Sequence, residues 1–146
     1  MAVFTKLQEE EIKEFLKFYN LGQLEKYEGI IEGIENTNYK IVCNGTPYIL
    51  TIFEKRVKEI DLPFFVELKL YLNENTFKCP KPLKDKNGKI INPLKNKKAI
   101  IISFIEGNKI DLPNNNNCKE VGYMIGDLHN LTSNFNQKRD NSLDIN

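Results

Sequence analysis

The chain predicts an α+β fold, an antiparallel five-stranded sheet with one helix packed on it. Three observations carry this expectation. Strand-like runs stand before and after a single apolar-faced helix, a pattern that favours one antiparallel sheet over a wound parallel one. Asn44-Gly45 and Asn87-Gly88 are strong hairpin pairs between such runs. With 40% hydrophobic residues, a chain of 146 residues can bury one core.

In chain order, Thr5 with Gln8 reads as a capping-box start for a first helix. Ile12, Phe15, Leu16 and Tyr19 follow at i, i+3, i+4 and i+7, and Asn20-Leu21-Gly22 ends it. Strands are expected near 24–31, 38–43 and 47–53, the last rich in β-branched and aromatic residues. Asp61 with Pro63 opens a second helix, with Phe65, Leu68 and Leu72 inward and Asn73-Glu74-Asn75 at its end. The prolines of Cys79-Pro80-Lys81-Pro82 make that stretch extended. Ala99 to Phe104 is a continuous apolar run, a buried strand, and a polar connection follows. Asn117, with Glu120 in the capping-box position, opens a third helix whose apolar face is Val121, Met124, Ile125, Leu128 and Leu131.

Composition excludes several classes. Lys+Arg 21 against Asp+Glu 20 leaves a net charge of +1, with no basic excess for nucleic acid. No apolar run approaches the ~20 residues of a membrane span, and the first residues carry no apolar signal core. Cys43, Cys79 and Cys118 are odd in number and widely spaced, so neither a disulfide framework nor a zinc site is implied. A reduced cytoplasm is the expected compartment.

The sequence narrows the fold further. Met1-Ala2-Val3-Phe4-Thr5, Glu32-Gly33-Ile34-Glu35-Asn36-Thr37-Asn38-Tyr39, Tyr48-Ile49-Leu50-Thr51-Ile52-Phe53-Glu54, Asp61-Leu62-Pro63-Phe64-Phe65 and Asn141-Ser142-Leu143 follow one another in this order. Together they resemble the bacterial homoserine kinases of the protein-kinase-like fold, relatives of the aminoglycoside and choline phosphotransferases. The resemblance runs along essentially the whole chain. It implies a nucleotide-binding N-lobe over 1–104, then the hinge and start of a truncated C-lobe over 105–146. It also implies ATP-dependent phosphorylation of the L-homoserine side-chain hydroxyl, with ATP and Mg²⁺ as cofactors, in threonine biosynthesis.

Phosphoryl transfer needs donors and cations on the phosphates, a bound metal and a group orienting the attacking hydroxyl. The resemblance places the phosphate-covering turn at Glu32 to Asn38. There Gly33 permits close approach, and the N–H groups of Asn36, Thr37 and Asn38 are expected to form an anion-binding nest. Glu32 and Glu35 oppose simple anion binding. Thr51 stands where such folds carry a phosphate-gripping lysine, and a neutral hydroxyl supplies no charge. Lys55 or Arg56 just beyond are candidate replacements, with Glu67 the candidate orienting carboxylate. Backbone groups of Ser103, Phe104 and Ile105 are expected at the adenine edge, with Ile31, Ile49 and Ile102 against its faces.

No His-x-Asp catalytic loop occurs in the sequence; the sole histidine, His129, is followed by Asn130 and Leu131. The expectation is therefore an N-terminal fragment without catalytic or metal-binding residues of its own, inactive by itself. In such a fragment the third helix would be left partly exposed, and a chain cut after Gly107 would behave better. The alternatives are a non-catalytic lobe binding nucleotide or a partner, and an aminoglycoside- or choline-type kinase.

Overall fold

A computed structural model describes residues 3–54 and 58–140. The elements run α1 (Glu9–Leu16), β1 (Leu24–Ile30), β2 (Asn36–Cys43), β3 (Thr46–Phe53), a single 3₁₀ turn (Glu59–Asp61), α2 (Leu62–Glu74), β4 (Asn92–Leu94), β5 (Lys97–Ser103) and α3 (Asn115–Thr132). The five strands make one antiparallel sheet in the order β1-β2-β3-β5-β4. The expected fold class is thus the observed one.

Strand alternation divides the sheet into two chemically different faces. Along β2, Thr37, Tyr39, Ile41 and Cys43 are buried while Asn36, Asn38, Lys40 and Val42 are only half-covered. Register extends the division across the strands: Tyr39 pairs with Leu50 and Leu50 with Ile101, whereas Asn38 pairs with Thr51 and Thr51 with Ile100. The first face meets α1, whose Ile12, Phe15 and Leu16, with Tyr19 just beyond, pack into the core with Ile41, Leu50, Ile52 and Ile101. Each of these large side chains contributes about 1.5–3 kcal/mol by leaving water.

The α1 face follows the expected spacing, but its cap does not. Gln8 is the capping residue, its N–H donating to Glu11 Oε2 at 2.8 Å. Thr5 is instead buried, and its hydroxyl donates to Glu54 Oε1 at 2.6 Å. After α1 the chain turns at Gly22 (φ +87°), where a Cβ would lie 2.2 Å from Asn44 Cγ. Only glycine fits so close to the β2–β3 hairpin.

Asn44-Gly45 turns that hairpin with both φ values positive, as its sequence predicts. Asn87-Gly88 joins no ladder strands. Its turn is held by Asp85, whose Oδ1 accepts from the N–H groups of Asn87 and Lys89 at 2.8 Å each. The true hairpin there is β4–β5, turned by Lys95-Asn96 at φ +48° and +59°. Pro80 to Leu83 is extended as expected, and Pro82 bridges Ile102 on β5.

α2 starts after Asp61 with Pro63 in its first turn and buries Leu62, Val66 and Leu72. Phe65 and Leu68, expected inward, are half-buried. α3 is capped by Asn114 rather than Asn117; the two side chains exchange 3.0 Å bonds with each other's N–H. Among the described residues no helix is long and apolar enough to cross a membrane.

Candidate functional site

The second sheet face is built in rows. Asn38, Thr51 and Ile100 lie side by side across β2, β3 and β5; Lys40, Ile49 and Ile102 form the next row, and Asn36 with Phe53 the row on the other side. α2 covers part of this face with Phe65, Val66 and Lys69. Between helix and sheet is a cavity of about 310 Å³, lined also by Glu35, Asn36, Asn38, Thr51, Phe53, Ile100 and Ile102. That volume is at the lower end for small-molecule sites, and an apolar wall with few polar groups is their usual chemistry. Larger depressions, of about 630, 670, 440 and 330 Å³, lie by the end of α1, along β1, between α1 and β4, and at the start of β5. None of them includes the Asn38–Thr51 pair or the isoleucines of β5.

The polar groups of the cavity are few. Thr51 donates to Asn38 Oδ1 at 2.8 Å, so this pair is mutually satisfied. Asn36 Oδ1 is buried with no hydrogen-bond partner among the described residues. Such an orphaned acceptor carries an uncompensated desolvation cost of about 1–3 kcal/mol that a ligand hydroxyl or amine would relieve. An apolar slot, a Thr–Asn pair, a free carbonyl and one lysine suit a nucleoside with an anionic tail.

Of the residues expected at the site, Asn36, Asn38, Thr51 and Ile102 share this cavity, and Ile49 lies on the same face one row away. Thr37 does not. Its side chain is fully buried on the α1 face, donating to Glu54 Oε1 at 2.7 Å and accepting from the N–H groups of Phe4 and Thr5 at 3.0 Å. The expected nest is also absent at 36–38, because β2 already begins at Asn36. Successive N–H groups of an extended strand point to opposite sides and cannot converge on one anion. Gly33, at φ +118°, remains in the loop between β1 and β2.

At the other end, Ser103 is committed to the Pro80–Leu83 segment. Its N–H donates to the Lys81 carbonyl and its Oγ accepts from the Lys81 N–H, both at 2.9 Å. The backbone left to read a base edge is that of Phe104 and Ile105, past the strand end. Phe104 carries the Lys40 ammonium 4.2 Å from its ring centroid. Ile31 is 66% exposed, away from the cavity wall.

Lys55 and Arg56 lie outside the described residues, as do Met1-Ala2 and Asn141-Ser142-Leu143. Glu67 is exposed and bonded to Gln137, not turned to the cavity. Ile100, Phe53 and Lys69 were not anticipated. The first two follow from period-two spacing around Ile102 and Thr51, and Lys69 lies one helical turn beyond Phe65. Among the described residues no three His, Cys, Asp or Glu side chains gather as a metal site, so no metal step is derived from this chain.

A kinase-lobe sheet with a small-molecule cavity on its open face is the class that this architecture defines. The chain belongs to the phosphotransferase enzyme family, whose sequence profile matches residues 26–142. It is 40% identical over 145 residues to a homoserine kinase of Agrobacterium fabrum, covering 99% of this chain and 45% of that protein. It is 41% identical over 145 residues to the homoserine kinase of Rhizobium meliloti, again 99% of this chain but 44% of the relative. The chain therefore spans just under half the length of the curated relatives it matches. Two solved structures share the fold. A spectinomycin phosphotransferase in complex with ADP and spectinomycin matches with TM-score 0.62 at 18% identity, over 96% of this chain and 50% of that one. A microcompartment-associated aminopropanol kinase matches with TM-score 0.71 at 12% identity, over 91% and 44%.

Proposed function

We propose that this chain is the nucleotide-binding part of a homoserine kinase, which transfers a phosphoryl group from ATP to the side-chain hydroxyl of L-homoserine. The observation that carries the reading is 37–41% identity to homoserine kinases from several bacteria, along 99% of the chain. The cavity between α2 and the sheet supports it by position and chemistry. In this reading residues 1–104 hold the base and phosphates, and 105–146 are the hinge and the start of the second lobe. Mg²⁺ would supply charge neutralisation of the phosphates when bound. What this chain contributes is the apolar slot, the Asn38–Thr51 pair and the orientation of the nucleotide against the sheet.

The test is a chimera in which this chain replaces the matching residues of the Agrobacterium fabrum enzyme. It should phosphorylate L-homoserine with ATP, and prefer it to choline and to aminoglycosides. A folded chimera that prefers another alcohol sinks the assignment. The 146 residues alone should bind ATP at most with millimolar affinity, about −4 kcal/mol. They should not turn over homoserine, since their sequence contains no His-x-Asp segment.

A further inference from the structure

We infer that Lys69 of α2 grips the nucleotide phosphates here, so that the cation comes from the helix and not from the strand position that Thr51 fills. The inference rests on reading the cavity as the nucleotide site, and it names the charge that this reading leaves unsupplied. Phosphate oxygens carry full negative charge, and a neutral hydroxyl cannot balance it in a partly dry slot. Thr51 is 8% exposed and already spends its proton on Asn38. It has nothing further to donate.

Among the described residues Lys69 is the one cationic residue on the cavity wall. It follows Phe65 by four residues and Val66 by three, so all three share the helix face turned to the sheet. Its four-carbon stem can lie along that apolar face while its head stays polar. Among the described residues its ammonium makes no ion pair and no hydrogen bond, and Glu35 across the cavity is not within ion-pairing distance. The other described cations that strand alternation puts on this face, Lys26, Lys40 and Lys98, are not on the wall; Lys40 lies over Phe104 and Lys98 pairs with Glu59 at 3.6 Å. Glu67, two residues before Lys69, is held outward by Gln137. The pattern is a strand hydroxyl facing a helix cation across one cavity.

The experiment titrates this 146-residue chain with adenosine, AMP and ATP, following the amide signals of Asn38 and Thr51. Wild type should bind ATP more tightly than adenosine. Lys69→Met, which keeps the stem, should weaken ATP about tenfold or more while leaving adenosine unchanged. Lys69→Arg should keep most of the ATP affinity. Adding Thr51→Lys to Lys69→Met should restore it by returning the charge to the strand; if that double variant does not fold, the arginine variant carries the test. Equal ATP affinity in Lys69→Met and wild type overturns the inference and leaves the nucleotide reading standing. With ligand carried to tens of millimolar, well above the millimolar affinity expected, absence of both adenosine and ATP binding in wild type overturns the nucleotide reading itself.

Discussion

Thr37 and Glu54 show how much a single buried network decides. Glu54 Oε1 accepts from Thr5 and Thr37, and Lys97 donates to its other oxygen and to Thr5 Oγ1 at 2.6 Å. This ties the N-terminal segment, β2, the end of β3 and the start of β5 together. Burial pushes the Glu54 carboxyl up, but hydrogen bonds from Lys97, Thr5 and Thr37 outweigh it and hold the group below its ordinary value. A carboxyl depressed in the folded state lets the unfolded chain take up its proton first. The contribution of Glu54 is therefore complete at neutral pH, above the unfolded value of about 4.3, and is lost as pH falls through the lower folded value. Glu54→Gln should lower stability at pH 7 and flatten the acid limb of a urea-denaturation series; an unchanged limb would mean that the ion pair does not matter. Thr37→Val should cost about 1–3 kcal/mol, because it strands the buried N–H of Thr5 and the part-buried N–H of Phe4. A nucleotide-binding role for the Thr37 side chain predicts instead lost ligand affinity at unchanged stability.

Elements were legible where periodicity spoke and illegible where turn chemistry was unusual. The face of α1, the β2–β3 hairpin and the buried run of β5 all follow from spacing or from Asn44-Gly45. The β4–β5 hairpin does not, because its turn residues are Lys95 and Asn96, neither of them glycine, while the stronger-looking Asn87-Gly88 belongs to an Asp85-capped loop. Lys95 tolerates its positive φ with help from outside the turn: its ammonium pairs with Glu11 at 2.9 Å and donates to the Lys6 carbonyl at 2.9 Å. Asn96 is among the residues that visit this region most readily. Asn96→Val should therefore destabilise the chain by about 1–2 kcal/mol relative to Asn96→Gly, since a β-branched side chain at φ +59° meets its own backbone. Equal midpoints for the two variants in thermal unfolding would show that the turn is not under this constraint. The candidate site was legible to the same degree: alternation gives Asn36, Asn38, Thr51 and Ile102 a common face. The burial of Thr37 and the approach of Lys69 depend on α1 and α2 docking on opposite faces, which no local pattern states.

At the scale of the whole molecule, α3 is the element least accounted for by the sheet. Val121, Tyr123, Met124 and Ile125 are 54%, 65%, 50% and 49% exposed, on a helix with no fully buried residue. Among the described residues only its far end is anchored. Tyr71 donates to the Leu131 carbonyl at 3.0 Å, Phe135 packs against the rings of Phe64 and Tyr71 with centroids 5.8 and 5.2 Å apart, and Arg139 reaches both Asp61 and the Phe65 ring. A chain ending at Gly107 would strip these partners from α2, so it should behave worse than the full chain, contrary to what the sequence suggests. The better test leaves the anchor intact and changes the exposed face. A large apolar side chain left half in water forgoes roughly half of the 1.5–3 kcal/mol that full burial gives, and such side chains side by side favour association. The 146-residue chain should therefore self-associate as concentration rises and bind a dye for apolar surface. Val121→Lys, Met124→Lys and Ile125→Glu together should abolish both effects with little change in thermal midpoint, because none of the three supports the core. Light scattering and calorimetry on the two chains decide it: a monomeric, dye-silent wild type, or a triple variant that loses several degrees of stability, would place this face inside a core of its own.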